Sequence, residues 1–303
     1  MKVLITGATG LVGNELVSLL LQNGISIHYL TTSKSKIDNN PKFQGFLWNP
    51  QQGKIDENCI IGVDAIIHLA GATIGKRWTR SYKQEIIESR ILSSNLLFKL
   101  LKSEPHQVKQ IVSASAIGIY PDSLENVYTE ESKGVDDGFL GNVVLKWEQS
   151  VDKFKALNIK VCKLRTGMVL SNKGGALIEM LKPIKMGAGA PFGNGKQFQS
   201  WIHIHDLAAM YLFAVQNQWE GVYNAVSPEV VTNKKLTSKI AKTLKKPLFI
   251  PSIPQFIMRI MLGEMHEVLF SSQNVKSEKA QKNGFHFQYN TLDKALKHLL
   301  TLS

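Results

Sequence analysis

Two rhythms of apolar residues alternate along the first half of the chain. Short runs rich in Val, Ile and Leu occur at Lys2–Thr6, Ile25–Thr31, Phe46–Trp48, Ala65–Ala70, Gln110–Ser115 and Lys160–Arg165. Between them lie longer stretches with apolar positions three and four apart, at Leu11–Gln22, Arg80–Lys102 and Phe139–Lys155. The first pattern predicts buried strands and the second amphipathic helices. Gly24, just beyond Leu11–Gln22, suits the left-handed residue that closes a helix. Strands alternating with helices predict a parallel sheet, doubly wound, with helices on both faces.

Beyond residue 170 the rhythm loosens. Gly187, Gly189, Gly193 and Gly195 mark a loop-rich stretch. A helix is expected over Leu207–Gln216, with Asp206 as its N-cap, and another over Asn233–Leu244. Two more helical patterns follow in Pro251–Leu300, separated by a turn at Gly284. The expected division is a first domain at 1–165 and a smaller α/β C-terminal lobe at 166–303, the latter including an appended module at about 251–300.

Composition narrows the function classes. The net charge is +12 and the pI about 9.5, but the lysines are scattered and not interleaved with aromatics. A solvated basic surface, with no nucleic acid partner, is the simpler reading. No apolar run approaches the roughly 18–20 residues that span a bilayer, so no membrane partner is expected. The apolar run after Met1 is too short and too glycine-interrupted for a signal peptide, which makes a cytoplasmic location the default. Cys59 and Cys162 are far apart and lack metal-ligand spacing, so they read as core residues in a reducing compartment, and no metal site is expected.

The sharpest motif follows the first strand. Gly7, Gly10 and Gly13 are spaced G-x-x-G-x-x-G, at the junction where a strand passes into a helix. There Gly7 permits a tight turn, Gly10 lets the backbone approach a pyrophosphate, and Gly13 lets the helix pack closely on the strand. Together with Thr9, Leu11 and Val12 they form a phosphate cradle at a helix N-terminus. The fold implied is Rossmann-type and the ligand a nicotinamide dinucleotide. The second strand ends in Thr31-Thr32-Ser33-Lys34-Ser35-Lys36, and no acid appears before Asp38. An acid there would bind the ribose hydroxyl of NAD(H), whereas hydroxyls and Lys34 suit a 2′-phosphate, which favours NADP(H) over NAD(H).

Longer phrases carry a family resemblance. The glycine loop, Asp64…His68-Leu69-Ala70-Gly71 and Ser113-Ala114-Ser115 resemble the extended short-chain dehydrogenase/reductases. Leu69-Ala70-Gly71-Ala72, Lys76-Arg77-Trp78-Thr79, Lys83-Gln84-Glu85-Ile86…Ser89-Arg90, Arg165-Thr166-Gly167-Met168-Val169-Leu170 and Gly193-Asn194-Gly195…Ser200-Trp201-Ile202-His203-Ile204 are similar to one atypical branch. Its members are sugar-nucleotide epimerase-like (NAD-dependent epimerase/dehydratase) proteins, sometimes labelled cell-division inhibitors. The tail from Gly263-Glu264-Met265 to Asn283-Gly284-Phe285 resembles that branch's C-terminal module. The resemblance covers nearly the whole chain. It implies that Leu69 and Ala70 line the adenine side of the crevice, with Gly71 a cofactor contact beside them and Thr31 and Thr32 near the ribose. Glu85, Arg90 and Glu148 are further cofactor contacts that it implies, each with a plain helix charge as the alternative.

Superfamily catalysis uses a Ser or Thr, a Tyr and a Lys. Ser115 matches the hydroxyl position, with Ser113 as the alternative. The Tyr-x-x-x-Lys pair is absent: its positions, counted from Glu148, fall on Leu140 and Val144. Tyr120 is the substitute acid considered first, with Glu85 or a water chain as others, and Tyr128 lies further off. His203 alternates with apolar residues and reads as a core histidine. Arg77 and Trp78 could clamp a substrate, or belong to an ordinary loop, and Gly187–Gly195 with Trp201 could form a lid. The function expected is an NADP(H)-binding epimerase/oxidoreductase acting on an unidentified small-molecule substrate, with the sugar-nucleotide-like class as the candidate. The alternative is a catalytically silent NADP(H)-dependent regulator. The oligomeric state is left open.

Overall fold

The computed structural model describes residues 1–301 of the chain, so the last two positions of the expected C-terminal lobe lie outside the described residues. Its central sheet has nine strands. Seven are parallel: β1 (Lys2–Thr6), β2 (Ser26–Thr31), β3 (Phe43–Asn49), β4 (Ala65–His68), β5 (Gln110–Ala116), β6 (Lys160–Thr166) and β7 (Gly221–Ala225). They lie in the order β3-β2-β1-β4-β5-β6-β7. Asn39–Asn40 and Lys54–Ile55 pair antiparallel with β3. The order reverses between β1 and β4, which opens a crevice at their carboxyl ends.

Successive side chains of β1 feed opposite layers, because strand side chains alternate. Val3 and Ile5 join Leu16 and Leu20 of α1 (Leu11–Gln22) and Leu207 and Tyr211 of α5 (Ile204–Gln216). Leu4 joins Leu96, Leu97 and Leu100 of α2 (Arg80–Ser103) and Trp147 and Val151 of α3 (Phe139–Asp152). With both faces covered, the strands can be apolar almost throughout. Helix α1 stops as its sequence suggests: Gly24 takes φ +70° and its N–H bonds Leu21 O. Helix α2 is capped by Thr79, whose hydroxyl accepts the Tyr82 N–H.

A boundary at residue 165 does not separate the lobes. The chain leaves the sheet after β6 but returns to it with α5 and β7, so the first layer structure is discontinuous in sequence. The second lobe packs α4 (Ala176–Lys185), α6 (Asn233–Thr243) and the C-terminal helix Leu292–Thr301 around Leu181, Trp201, Leu236, Ile240 and Leu296. Between α6 and that last helix lie α7 (Gln255–Leu262) and two shorter helical segments, Glu267–Phe270 and Glu278–Lys282. Asn274–Val275 then pairs with Val127–Tyr128, tying the tail back to the first lobe.

Helix α5 corrects a capping expectation. It begins at Ile204 and its N-cap is His203, whose Nδ1 accepts the His205 N–H. Asp206 sits inside the first turn. Its carboxylate receives the Gln288 and Tyr289 N–H groups, so it anchors the tail.

Candidate functional site

The crevice between β1 and β4 is shaped first by backbone. Gly7 has φ +74°, and a Cβ there would stand 3.1 Å from the Leu69 carbonyl carbon and 3.2 Å from Ala70 N. At Gly13 a Cβ would meet Gly7 O at 2.2 Å, so α1 approaches the loop as closely as hydrogen permits. Gly10 is the N-cap of α1, with no side-chain cap and no acid in the first turn. The positive end of the helix is thus open to an anion. Thr9 and Gly10 are exposed, Leu11 and Val12 half-buried.

Across the crevice, the Thr6 hydroxyl fixes the end of β4. It accepts N–H bonds from Leu69 (3.1 Å) and Ala70 (3.0 Å) and lies 2.8 Å from His68 Nδ1. With two bonds accepted, its own proton points to Nδ1, which makes Nδ1 an acceptor and assigns the ring proton to Nε2. Nε2 faces Ser94 Oγ at 3.0 Å, and Ser94 donates onward to Arg90 O. Burial, with Arg90 adding repulsion, pushes the His68 pKa down to about 4. Neither Thr6 nor Ser94 was singled out from the sequence, although a threonine in an otherwise aliphatic buried strand was a visible signal.

Arg90 turns inward from α2. Its Nη1 donates to Ile86 O (2.9 Å) and Ala72 O (3.2 Å), and its guanidinium lies 4.9 Å from the Trp147 ring centre. A Cβ at Gly71 would come 3.2 Å from the guanidinium carbon. Among the described residues no carboxylate pairs with Arg90, and burial lowers its pKa to about 10. Glu85 is exposed, so these two helix charges point apart, as five-residue spacing requires.

At the end of β2, the Thr31 hydroxyl is buried and accepts the Ser33 N–H. Thr32 and Lys34 are exposed. A hollow of about 600 Å³ opens beside the glycine loop, lined by Ala8, Thr9, Asn14, Tyr29, Ser35, Lys36 and Asp38 among others. Tyr29 shapes it, donating to Lys36 O (2.6 Å) and accepting the Asp38 N–H (2.8 Å). Lys36 therefore lines this hollow, while Lys34 and Thr32 do not.

The Ser115 region is held by side chains instead. Ser115 Oγ donates to Glu148 Oε1 at 2.6 Å. Arg165 grips the same carboxylate with Nε (2.8 Å) and Nη2 (3.0 Å), and Lys163 Nζ lies 3.4 Å from it. Arg165 Nη1 donates to the Tyr120 hydroxyl (3.0 Å), which donates to Asn224 Oδ1 (2.8 Å). Burial raises the Glu148 pKa, but Arg165, Lys163 and Ser115 outweigh it and hold the carboxyl below its ordinary range. Burial prevails at Tyr120, whose pKa is raised.

Two expectations are corrected by this network. Tyr120 has no solvent exposure, stacks on Tyr128 and spends its hydroxyl on internal bonds, so it holds the core and is not placed as a substrate acid. Glu148 has its oxygens committed to Ser115, Arg165 and Lys163, and acts as a buried counter-ion where a cofactor contact was expected. Val144 is buried with Ile119 and Val226, and Leu140 flanks Gly118, so hydrocarbon occupies both positions of the missing pair. Sequence reasoning did not connect Arg165 with Lys163 and Asn224. The available signal was Lys163 and Arg165 two apart on a buried strand, Cα partners of Ser113 and Ser115, which together demand an acid.

Of the remaining candidates, Trp78, Trp201 and His203 are buried and structural in position. Trp78 is buried, donates to Ile74 O and packs edge-on against Phe139. Arg77 is exposed beside Gly263. Trp201 is fully buried and forms no lid. His203 stacks on Tyr289, and burial, then His298 and His205, push its pKa down to about 3.

The comparisons with known proteins agree with this layout. The model of the NAD dependent epimerase/dehydratase family matches residues 3–225, and that of a domain of unknown function (DUF1731) matches residues 253–299. An epimerase family protein of Staphylococcus haemolyticus is 37% identical over 298 residues, 98% of each chain. Human epimerase family protein SDR39U1, solved with NADPH, aligns with a TM-score of 0.85 at 28% identity over 99% of each chain. A nucleoside-diphosphate sugar epimerase from Corynebacterium glutamicum aligns with a TM-score of 0.80 at 29% identity, all of this chain matching 59% of that one. This chain belongs to the NAD-dependent epimerase/dehydratase family.

Proposed function

We propose that this chain binds NADP(H) in the β1/β4 crevice and carries out epimerase- or oxidoreductase-type chemistry on a small substrate bearing a hydroxyl or carbonyl. The observation that carries the reading is the open N-terminus of α1 behind Gly7, Gly10 and Gly13, a cradle whose shape depends on Gly13, where a Cβ would collide with the loop backbone at Gly7 and Ala8. The guanidinium of Arg90, which has no carboxylate partner among the described residues, and the basic, hydroxyl-rich turn at Ser33–Lys36 favour an anionic cofactor, and NADPH in the human relative supports the phosphorylated form. When bound, the nicotinamide supplies hydride acceptance and donation. Ser115, at the carboxyl end of β5, has its proton on Glu148 and so can only accept from a substrate hydroxyl, and the substrate's proton is exchanged with water because no tyrosine is placed to take it. The sugar-nucleotide class is drawn from the relatives' names.

A second reading, an NADP(H)-binding protein without turnover, is favoured by one observation. The ionisable group nearest Ser115 is a carboxylate held deprotonated by Arg165, a poor proton exchanger near neutrality. Titration with NADPH and NADH, followed by nucleotide fluorescence, tests the common part. Tight NADPH binding is expected, with a loss of at least about tenfold in Gly13→Ala, where the added methyl must displace backbone. Equal or tighter NADH binding sinks the cofactor assignment. NADPH oxidation against carbonyl compounds and sugar nucleotides then separates the readings: turnover abolished in Ser115→Ala establishes the enzyme, and a silent panel with intact NADPH binding favours the binder.

A further inference from the structure

Helix α7 wears its apolar face outward. Met258 is its only buried residue. Phe256, Ile260 and Met261 expose between 63% and 72% of their surface, and Ile257 is also exposed. At ~100° per residue these four cover an arc of about 140°. Phe249 and Ile250, just upstream, are exposed too. The loop after α4 is tied to this segment, with Ile253 N–H on Pro191 O and Gly193 N–H on Ile253 O, and it begins with exposed Met186. Isolated exposed apolar residues need no explanation, but a cluster of large ones does.

The stretch that carries this cluster has charge of one sign, with acids only at its borders, where Glu264 and Glu267 follow α7. No Asp or Glu occurs between Glu229 and Glu264, a stretch that holds Lys234, Lys235, Lys239, Lys242, Lys245, Lys246 and Arg259. Lys235 and Lys239 are neutralised by Glu229 and Asp293. Lys242, Lys245, Lys246 and Arg259 are exposed and have no carboxylate partner among the described residues. A second copy of the chain is a poor occupant, because a two-fold interface would set these cations against themselves.

We propose that the segment Lys242–Met261 is an interfacial membrane-binding surface, docking on an anionic lipid bilayer. The bulky side chains of α7 enter the headgroup boundary, and the lysines that precede it meet the negative surface. The absence of a spanning helix among the described residues, and the expectation of no membrane partner built on apolar run length, do not bear on such a surface. Phe256 and Ile260 on one side of α7 and Met258 on the other show why: the helix lies along its support and does not cross it.

Co-sedimentation of the full chain with vesicles tests this. Binding is expected to phosphatidylcholine vesicles containing phosphatidylglycerol, not to phosphatidylcholine alone, and to weaken as salt rises. Lys245→Glu and Lys246→Glu should each weaken it about fivefold or more. A Phe256→Asp/Ile260→Asp double variant should abolish it with unchanged thermal melting, since both side chains are exposed. Three results overturn the proposal: no binding to anionic vesicles, equal binding to both compositions, or a dimer dispersed by Ile260→Asp without vesicle binding. Retention on heparin with no vesicle binding would do so as well, and would redirect attention to an acidic macromolecule.

Discussion

The glycine crevice and the Ser115 network lie at the same edge of one sheet, yet different forces hold them. Around Gly7–Gly13 the shape is backbone: three absent Cβ atoms, one left-handed φ and an uncapped helix end. Around Ser115 the shape is a chain of buried polar side chains running through Glu148, Arg165, Tyr120 and Asn224. A backbone cradle keeps its donors free for a ligand. A satisfied buried network spends its groups on one another, and in a low-dielectric interior each missing member is costly. The comparison places ligand affinity in the first region and much of the fold's polar stability in the second.

The largest expected effect breaks the second region. Glu148→Ala leaves Arg165 buried without its carboxylate, which costs about 3–5 kcal/mol. Denaturant unfolding should show that loss, while the folded protein keeps its NADPH affinity. Unchanged stability with weakened NADPH binding would instead make Glu148 the cofactor contact that the family resemblance implies.

The same contrast explains what could be read from the chain. Gly7, Gly10 and Gly13 are contiguous, and each answers a local steric demand, so their spacing after a buried strand is informative by itself. Bonded partners in the network are 33, 17, 45 and 104 positions apart. Tyr120 looked available as an acid because its sequence neighbours say nothing of Asn224 or Arg165. Asp206 looked like a cap because its partners, Gln288 and Tyr289, lie 82 and 83 positions on. The strand and helix alternation was legible from hydrophobic periodicity. The return of the chain to the sheet at β7 was not, since Gly221–Ala225 lies between segments of the second lobe and only pairing with β6 identifies it.

A smaller effect sharpens the link between β1 and β4. His68 stays neutral in the fold until pH about 4, whereas an unfolded histidine titrates near 6.5. Between those values the unfolded chain binds the extra proton, so stability is full above about pH 6.5 and falls as the pH drops towards 4. The loss is on the order of 3 kcal/mol for a shift of this size. Glu148, with its pKa held low, has the same sign further down: its contribution is present above the unfolded carboxyl value and disappears below it. Melting temperature against pH, compared with His68→Asn, isolates the histidine. A variant whose profile keeps the full slope between pH 6.5 and 4 would remove His68 from this role.

The smallest effect distinguishes two lysines in one turn. Lys34 is the cation that sequence position alone selects for a 2′-phosphate, but Lys36 lines the hollow beside Thr9 and Asn14, with Tyr29 holding its carbonyl. Both side chains are exposed, so water screens either charge and a single reversal changes affinity only about fivefold. Lys36→Glu should lower the ratio of NADPH to NADH affinity by about that factor, with Lys34→Glu nearly silent and with neither variant altering melting. The ratio matters more than either affinity, because the two cofactors share every contact except the phosphate. A response at Lys34 with none at Lys36 would mean that the turn rearranges when the ribose arrives. The crevice would then owe its phosphate selectivity to a mobile loop, and only its pyrophosphate cradle to rigid backbone.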